Sequence, residues 1–228
     1  MSIFHTALLR MLTTRRPQRP PQAERTTSSA KDHASGAAML EIERKFRLRD
    51  GESTTIPTRL KAMGFEATVS IEMTDQFLPT GVKGEMLRVR DELANGKHTT
   101  VVTIKEWVII GNSRERREQE AGISALARWF LLLAGKLINR GKLLAFSKTR
   151  LMHESPVLAG VVIAIDDVQG LGDNSGHYAE IEVLVPQGGD VDGAREQIFG
   201  LARELFGEDR EFVQASYQDM LKLVSTKV

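Results

Sequence analysis

From Met39 onward, short apolar and polar runs alternate with a period of two and are separated by turn residues. Side chains on a strand point alternately to opposite faces, so this pattern predicts strands near 40–48, 69–78, 85–92, 98–106, 115–123, 144–152, 161–168 and 178–185. A period of three to four occurs in fewer places. It predicts helices from Thr55-Ile-Pro57 to Gly64, from Ser124 to Gly135, and from Val191 to Phe206, where Ala194, Ile198, Leu201, Ala202 and Leu205 share one side. A fourth helix is predicted over Val213–Val224. Eight strands with a few helices inserted between them predict an antiparallel α+β fold rather than a doubly wound sheet.

The polar positions of these strands are unusually charged. Glu41, Glu43 and Lys45 share one face of the first strand, with Ile42 and Phe46 on the other. Arg88 and Arg90, Glu118 and Glu120, Lys148 and Arg150, and Glu180 and Glu182 are each two apart; Lys105 follows Ile104, and Asp166 follows Ile165. A sheet face turned to water normally mixes Thr, Ser and Gln with its charges. A second arrangement explains the pattern better: the strands close into a barrel, charged faces inward and apolar faces covered by the helices. A charged interior is costly when dry, so it must be wet and must bind something.

Composition narrows what that is. The 228 residues contain no cysteine, which excludes disulfides, zinc ribbons, iron–sulfur clusters and thiol nucleophiles. Only 5 His are present, so any metal site falls to carboxylate oxygens, which suit Mg²⁺ or Mn²⁺. Arg and Lys in the same cavity suit phosphate oxygens. Together they describe a site for a metal-complexed polyphosphate. Neither a Walker loop nor a dinucleotide glycine fingerprint occurs.

Residues 1–38 differ from the rest. Six basic residues against two acidic ones make this segment net +4, while residues 39–228 are net −3. PQRPPQ and TTSSAKDHASGAA cannot bury enough apolar surface to fold and predict disorder. The acid-free start, with Leu8, Leu9 and Leu12 near helical spacing, has the pattern of a transit peptide, which leaves mitochondrial and cytoplasmic locations both open. The most apolar stretch, beginning at Trp129, meets Lys136 within ten residues, far short of the ~20 a membrane span needs. With a net-acidic body and no folded reading element, the basic tail does not make nucleic acid the expected partner.

Glu41-Ile-Glu43-Arg-Lys45 resembles the opening Glu-x-Glu-x-Lys signature of the CYTH family, the triphosphate tunnel metalloenzymes. The order of later matches strengthens it: Leu87-Arg-Val-Arg90, Thr103-Ile-Lys105, Arg117-Glu-Gln-Glu120, Lys148-Thr-Arg150, Ile165 through Gly172, Glu180-Ile-Glu182 and Ser216-Tyr217. The resemblance covers about 39–222 and implies a closed eight-stranded antiparallel tunnel with helices outside. It implies Glu41, Glu43, Asp166, Glu180 and Glu182 as ligands of Mg²⁺ or Mn²⁺. It implies Lys45, Arg88, Arg90, Lys105, Lys148 and Arg150 as phosphate contacts. Lys45, Glu118 and Glu120 are candidate catalytic residues, the two acids also fitting a role as partners of Arg and Lys.

The implied function is a metal-dependent hydrolase of a small-molecule triphosphate, thiamine triphosphate or inorganic tripolyphosphate. The alternative is a class IV adenylate cyclase converting ATP to cyclic AMP and pyrophosphate. A polyphosphate sensor without catalysis would need only the bases, and the paired acids weigh against it. The family's second-strand Asp-x-Tyr is here Asp75-Gln-Phe77, without the phenolic hydroxyl, and the turn from Asp173 to Tyr178 is longer than usual; both bear on how the organic part of a substrate is read. Trp107 and Trp129 could stack such a part, but a core position is the expectation for each. Oligomeric state is not legible.

Overall fold

A computed structural model of the protein describes residues 39–80, 85–110, 113–186 and 188–225. The expected disorder and targeting role of residues 1–38 lie outside them. The strands are β1 (Met39–Arg47), β2 (Glu66–Leu78), β3 (Met86–Ala94), β4 (Lys97–Ile110), β5 (Ser113–Gly122), β6 (Leu144–Glu154), β7 (Val161–Gln169) and β8 (Gly176–Pro186). Helices α1 (Glu52–Ala62), α2 (Ala125–Ile138), α3 (Val191–Phe206) and α4 (Tyr217–Ser225) are inserted between or after them.

All pairings are antiparallel, in the order β1-β5-β4-β3-β2-β6-β7-β8, and the sheet curls until β1 meets β5. That seam is narrow, registering only Glu41 opposite Arg116. Elsewhere the ladders run far along the strands, as in β1 and β8 from Met39↔Pro186 to Arg47↔Tyr178. Asn95 and Gly96, with φ of 51° and 75°, form the two-residue turn between β3 and β4, whose twist requires a positive φ at both positions.

The outward faces of β1, β7 and β8 carry Ile42, Phe46, Ile163 and Ile181, fully buried beneath α1 and α3 with Ile56, Ile198 and Leu205. Each such side chain contributes about 1.5–3 kcal/mol of burial free energy. Asp190 caps α3 by accepting from the Gly193 amide at 2.8 Å, and Gly207, with φ of 75°, ends it. A second cluster under α2 contains Leu78, Val89 and Val102. The third closes one end of the barrel, where Phe77, Phe146 and Tyr178 meet Tyr217, Met220 and Leu221 of α4.

Three expectations need correction. Helix α1 begins at Glu52, a turn before Thr55, so Pro57 lies inside it. The Glu52 carboxylate accepts from the Arg49 amide at 2.7 Å and pairs with both terminal nitrogens of Arg210, which secures this earlier turn. Helix α4 starts at Tyr217 rather than Val213, because Val213 instead donates its amide to the Lys45 carbonyl at 2.6 Å. Third, the helices leave part of the outer face bare: Glu72 and Thr74 of β2 and Ser147 and Thr149 of β6 are exposed.

His153 on β6 is 2% exposed, and burial holds its pKa below the ordinary imidazole value. The unfolded chain therefore binds the proton more readily, and stability is lost as pH falls through about 6.5. His153→Leu is expected to lose less stability between neutral and mildly acidic pH than the wild type in urea titrations. An equal loss in both proteins would remove His153 as its source.

Candidate active site

Register and alternation bring the charged residues onto the inner face as a continuous belt. Glu43 stands opposite Glu182 and Lys45 opposite Glu180 across β1 and β8. Arg150 faces Asp166 across β6 and β7, and Asp75 faces Arg90 across β2 and β3. Thr103 pairs with both Arg88 and Glu120, and Lys105 lies opposite Glu118. The Glu118 side chain itself lies outside the described residues.

Two buried ion networks form within this belt. In the first, Asp166 is fully buried and accepts from Lys148 at 2.7 Å and from Arg150 at 2.7 Å to each carboxylate oxygen. The Tyr217 hydroxyl adds a third donor at 3.1 Å. Arg150 also binds Glu180, which lies 3.8 Å from Lys45. The Lys45 ammonium sits 3.7 Å above the Tyr217 ring and donates to the Ala215 carbonyl at 3.4 Å, so the C-terminal segment helps to position it.

In the second network Asp75, 1% exposed, accepts two hydrogen bonds from Arg90 at 2.6 and 2.9 Å and lies 3.5 Å from Arg88. Arg88 in turn donates to Thr103 at 3.0 Å and to Glu120 at 3.4 Å. Burial alone would raise the Asp75 pKa, but the Arg88 charge and the Arg90 hydrogen bonds outweigh it and hold the carboxyl well below the carboxylate range. Glu180 is held low in the same way, with Arg150, Lys148 and Lys45 overcoming its burial. The networks share one space: the Arg150 charge opposes that of Arg90, both oppose the charge on Lys148, and Lys105 stabilises the charge on Glu180.

Lys148 differs from the arginines. Burial, followed by the charge of Arg150, brings its ammonium down to about 8, despite Asp166 and Glu180. If this ammonium grips phosphate, kcat/KM is expected to fall as pH rises through about 8, and the same limb is expected to be missing from Lys148→Gln. An unchanged limb in that variant would assign it to another group.

The five acids expected to bind metal thus fall into two settings. Asp166 and Glu180 are buried and tied to cations, while Glu41, Glu43 and Glu182 are only partly buried. Among the described residues, no three carboxylates or imidazoles converge as a metal cage. The oxygen-only donors Glu41, Glu43 and Glu182, on neighbouring strands, still match in chemistry what a hard divalent cation takes.

Asp75, Thr103 and Tyr217 received no role from the sequence alone, although all three stood in the motifs that carry the family resemblance. The alternation that turns Arg88 and Arg90 inward could have found Asp75, since Asp75 is the partner β2 offers at that register. Phe77 is buried and stacks on Phe146 with ring centres 6.0 Å apart, placing it in the apolar plug. Trp129 is not in the core: it lies exposed on α2. The Trp107 side chain lies outside the described residues.

Comparison with family models matches the CYTH domain over residues 39–217. The chain belongs to the CYTH family. Among solved structures, this CYTH domain is similar to the PH1819 protein of Pyrococcus horikoshii OT3, with 27% identity, a TM-score of 0.59, and coverage of 82% of this chain and 99% of that one. It is similar in fold to a candidate adenylate cyclase of Vibrio parahaemolyticus, at 19% identity and a TM-score of 0.55, covering 80% of this chain and 98% of that one. It also resembles HpAC1 from Hippeastrum, a candidate adenylyl cyclase with a dominant triphosphatase activity, at 16% identity and a TM-score of 0.54, covering 81% of this chain and 96% of that one. Comparison with curated proteins gives no match. The CYTH family contains both adenylate-cyclase-like and triphosphatase proteins.

Proposed function

We propose that this CYTH protein is a divalent-metal-dependent triphosphatase acting on a small-molecule triphosphate, with thiamine triphosphate and inorganic tripolyphosphate as the candidates. The observation that carries this reading is the inner belt, in which buried Lys45, Arg88, Arg90 and Lys148 and the largely buried Arg150 are held in place by Asp75, Asp166 and Glu180. Oriented guanidinium forks and ammonium groups match the oxygens of a polyphosphate. Because their geometry is fixed before substrate arrives, little reorganisation is needed when charge develops on the transferring phosphoryl group.

Lys45, Arg88, Arg90, Lys105, Lys148 and Arg150 bind and orient the phosphates. Glu120, bound to Thr103 and Arg88, positions Arg88. Glu41, Glu43 and Glu182 would hold Mg²⁺ or Mn²⁺, with Asp166 and Glu180 fixing the cations beside them. The metal would supply Lewis-acid neutralisation of the phosphate oxygens and activation of a water. The acids named on the inner face outnumber the bases, so a polyanion enters most favourably with a cation that offsets them. The dominant triphosphatase activity of HpAC1 supports the hydrolytic reading over cyclisation.

The test incubates the full-length protein with thiamine triphosphate, tripolyphosphate and ATP, with Mg²⁺, Mn²⁺ or chelator, and resolves the products. Metal-dependent orthophosphate release is expected. Cyclic AMP with pyrophosphate from ATP, without hydrolysis of the other two, would replace the hydrolase with a cyclase.

A further inference from the structure

Helix α2 is apolar on both sides. Its inward side packs Leu131 and Leu132 over Leu78, Val89 and Val102. That orientation is fixed twice. Arg128 makes a two-pronged ion pair with Asp91 of β3, with its shortest contact at 2.6 Å. Gly135 meets the sheet so closely that a Cβ there would lie 2.2 Å from Leu78 Cδ2. The opposite side is therefore held outward, and it presents Leu126, Trp129, Phe130, Leu133, Leu137 and Ile138, each at least 39% exposed. Five of these fall on one stripe at spacings of three and four; a contiguous apolar patch of that kind marks an interaction surface.

Charge says which surface it meets. No Asp or Glu occurs from Ala121 to His153. The exposed charges at the C-terminal end of α2 are all basic: Lys136, Arg140 and Lys142. They are gathered by a tight turn in which Arg140 and Gly141 take φ of 51° and 87° and the Gly141 amide donates to the Lys136 carbonyl at 2.7 Å. An apolar stripe with Trp and Phe, flanked by Lys and Arg and free of acids, is the make-up of a helix that lies in a bilayer interface. At 14 residues it is too short to cross, and no described helix is long and apolar enough to do so.

We propose that α2 docks this CYTH domain on an anionic lipid surface, its apolar stripe in the headgroup boundary and Lys136, Arg140 and Lys142 against lipid phosphates and carboxylates. Docking involves none of the inner-belt residues, so it stands whether or not the triphosphatase reading does.

The test is co-sedimentation of full-length protein with phosphatidylcholine vesicles with and without phosphatidylserine, at low and high ionic strength. The wild type is expected to bind the phosphatidylserine vesicles preferentially and to be released by salt. Trp129→Ser with Phe130→Ser is expected to lower the partition coefficient by about tenfold or more. Lys136→Gln, Arg140→Gln and Lys142→Gln together are expected to abolish the preference for anionic lipid. These side chains are exposed, so thermal melting of both variants is expected to match the wild type. In a Trp107→Phe background, Trp129 emission is expected to shift to the blue on binding. Failure of the wild type to bind overturns the proposal. So does undiminished binding by both variants, which would assign the affinity to the basic N-terminal segment. A lipid-free dimer that the Trp129/Phe130 variant dissociates would overturn it in favour of a second copy of the chain.

Discussion

Glu41→Gln combined with Glu43→Gln is expected to lower triphosphate turnover by about 10³-fold or more, because the metal would lose two of its three proposed ligands and its charge neutralisation with them. Both side chains are only partly buried on the inner face of β1, and amides of the same shape keep the strand packing intact. Thermal melting without metal is therefore expected to change little, since partly exposed carboxylates contribute little to stability. Steady-state rates and melting curves with and without Mn²⁺ check this. Retained turnover would remove Glu41 and Glu43 from the metal site.

Asp166→Asn is expected to act on stability instead. Asp166 is fully buried and neutralises Lys148 and Arg150 together, so its loss leaves the buried Lys148 and the largely buried Arg150 short of a counter-charge. Removing one partner of such a network costs about 3–5 kcal/mol. The variant is expected to melt well below the wild type without ligand, and tripolyphosphate is expected to raise its melting temperature more than it raises that of the wild type, because the polyanion supplies the missing negative charge. A variant as stable as the wild type that has lost only metal affinity would return Asp166 to the ligand set the family resemblance implies. Glu41 and Asp166, alike in the sequence as acids on inward positions, are thereby separated by the size of their effect on stability.

Strands β1, β3 and β8 were legible because charged and apolar positions alternate along them, and their inward face followed from that alternation; β2 and β6 instead turn Glu72, Thr74, Ser147 and Thr149 outward. Within the face, the sequence could say that acids and bases meet but not which acid serves which base. That depends on register between strands distant in the chain: Asp75 and Arg90 are fifteen residues apart, Asp166 and Tyr217 fifty-one. Ser216-Tyr217 was legible as a motif, yet its use was hidden, because only the return of the C-terminal segment past β1 puts the Tyr217 ring under Lys45. Trp129 misled for a related reason: α2 is apolar all round, so hydropathy could not show that Arg128 and Gly135 turn one side to the sheet and the other outward.

The most direct measurement is a crystal structure of the full-length protein with a non-hydrolysable triphosphate analogue and Mn²⁺. Phosphate oxygens are expected among Arg88, Arg90, Lys148 and Arg150 inside the barrel, with an anomalous manganese peak beside Glu41, Glu43 and Glu182. Analogue bound outside the barrel, or manganese seated on Asp166 with Lys148 and Arg150 displaced from it, would contradict the account.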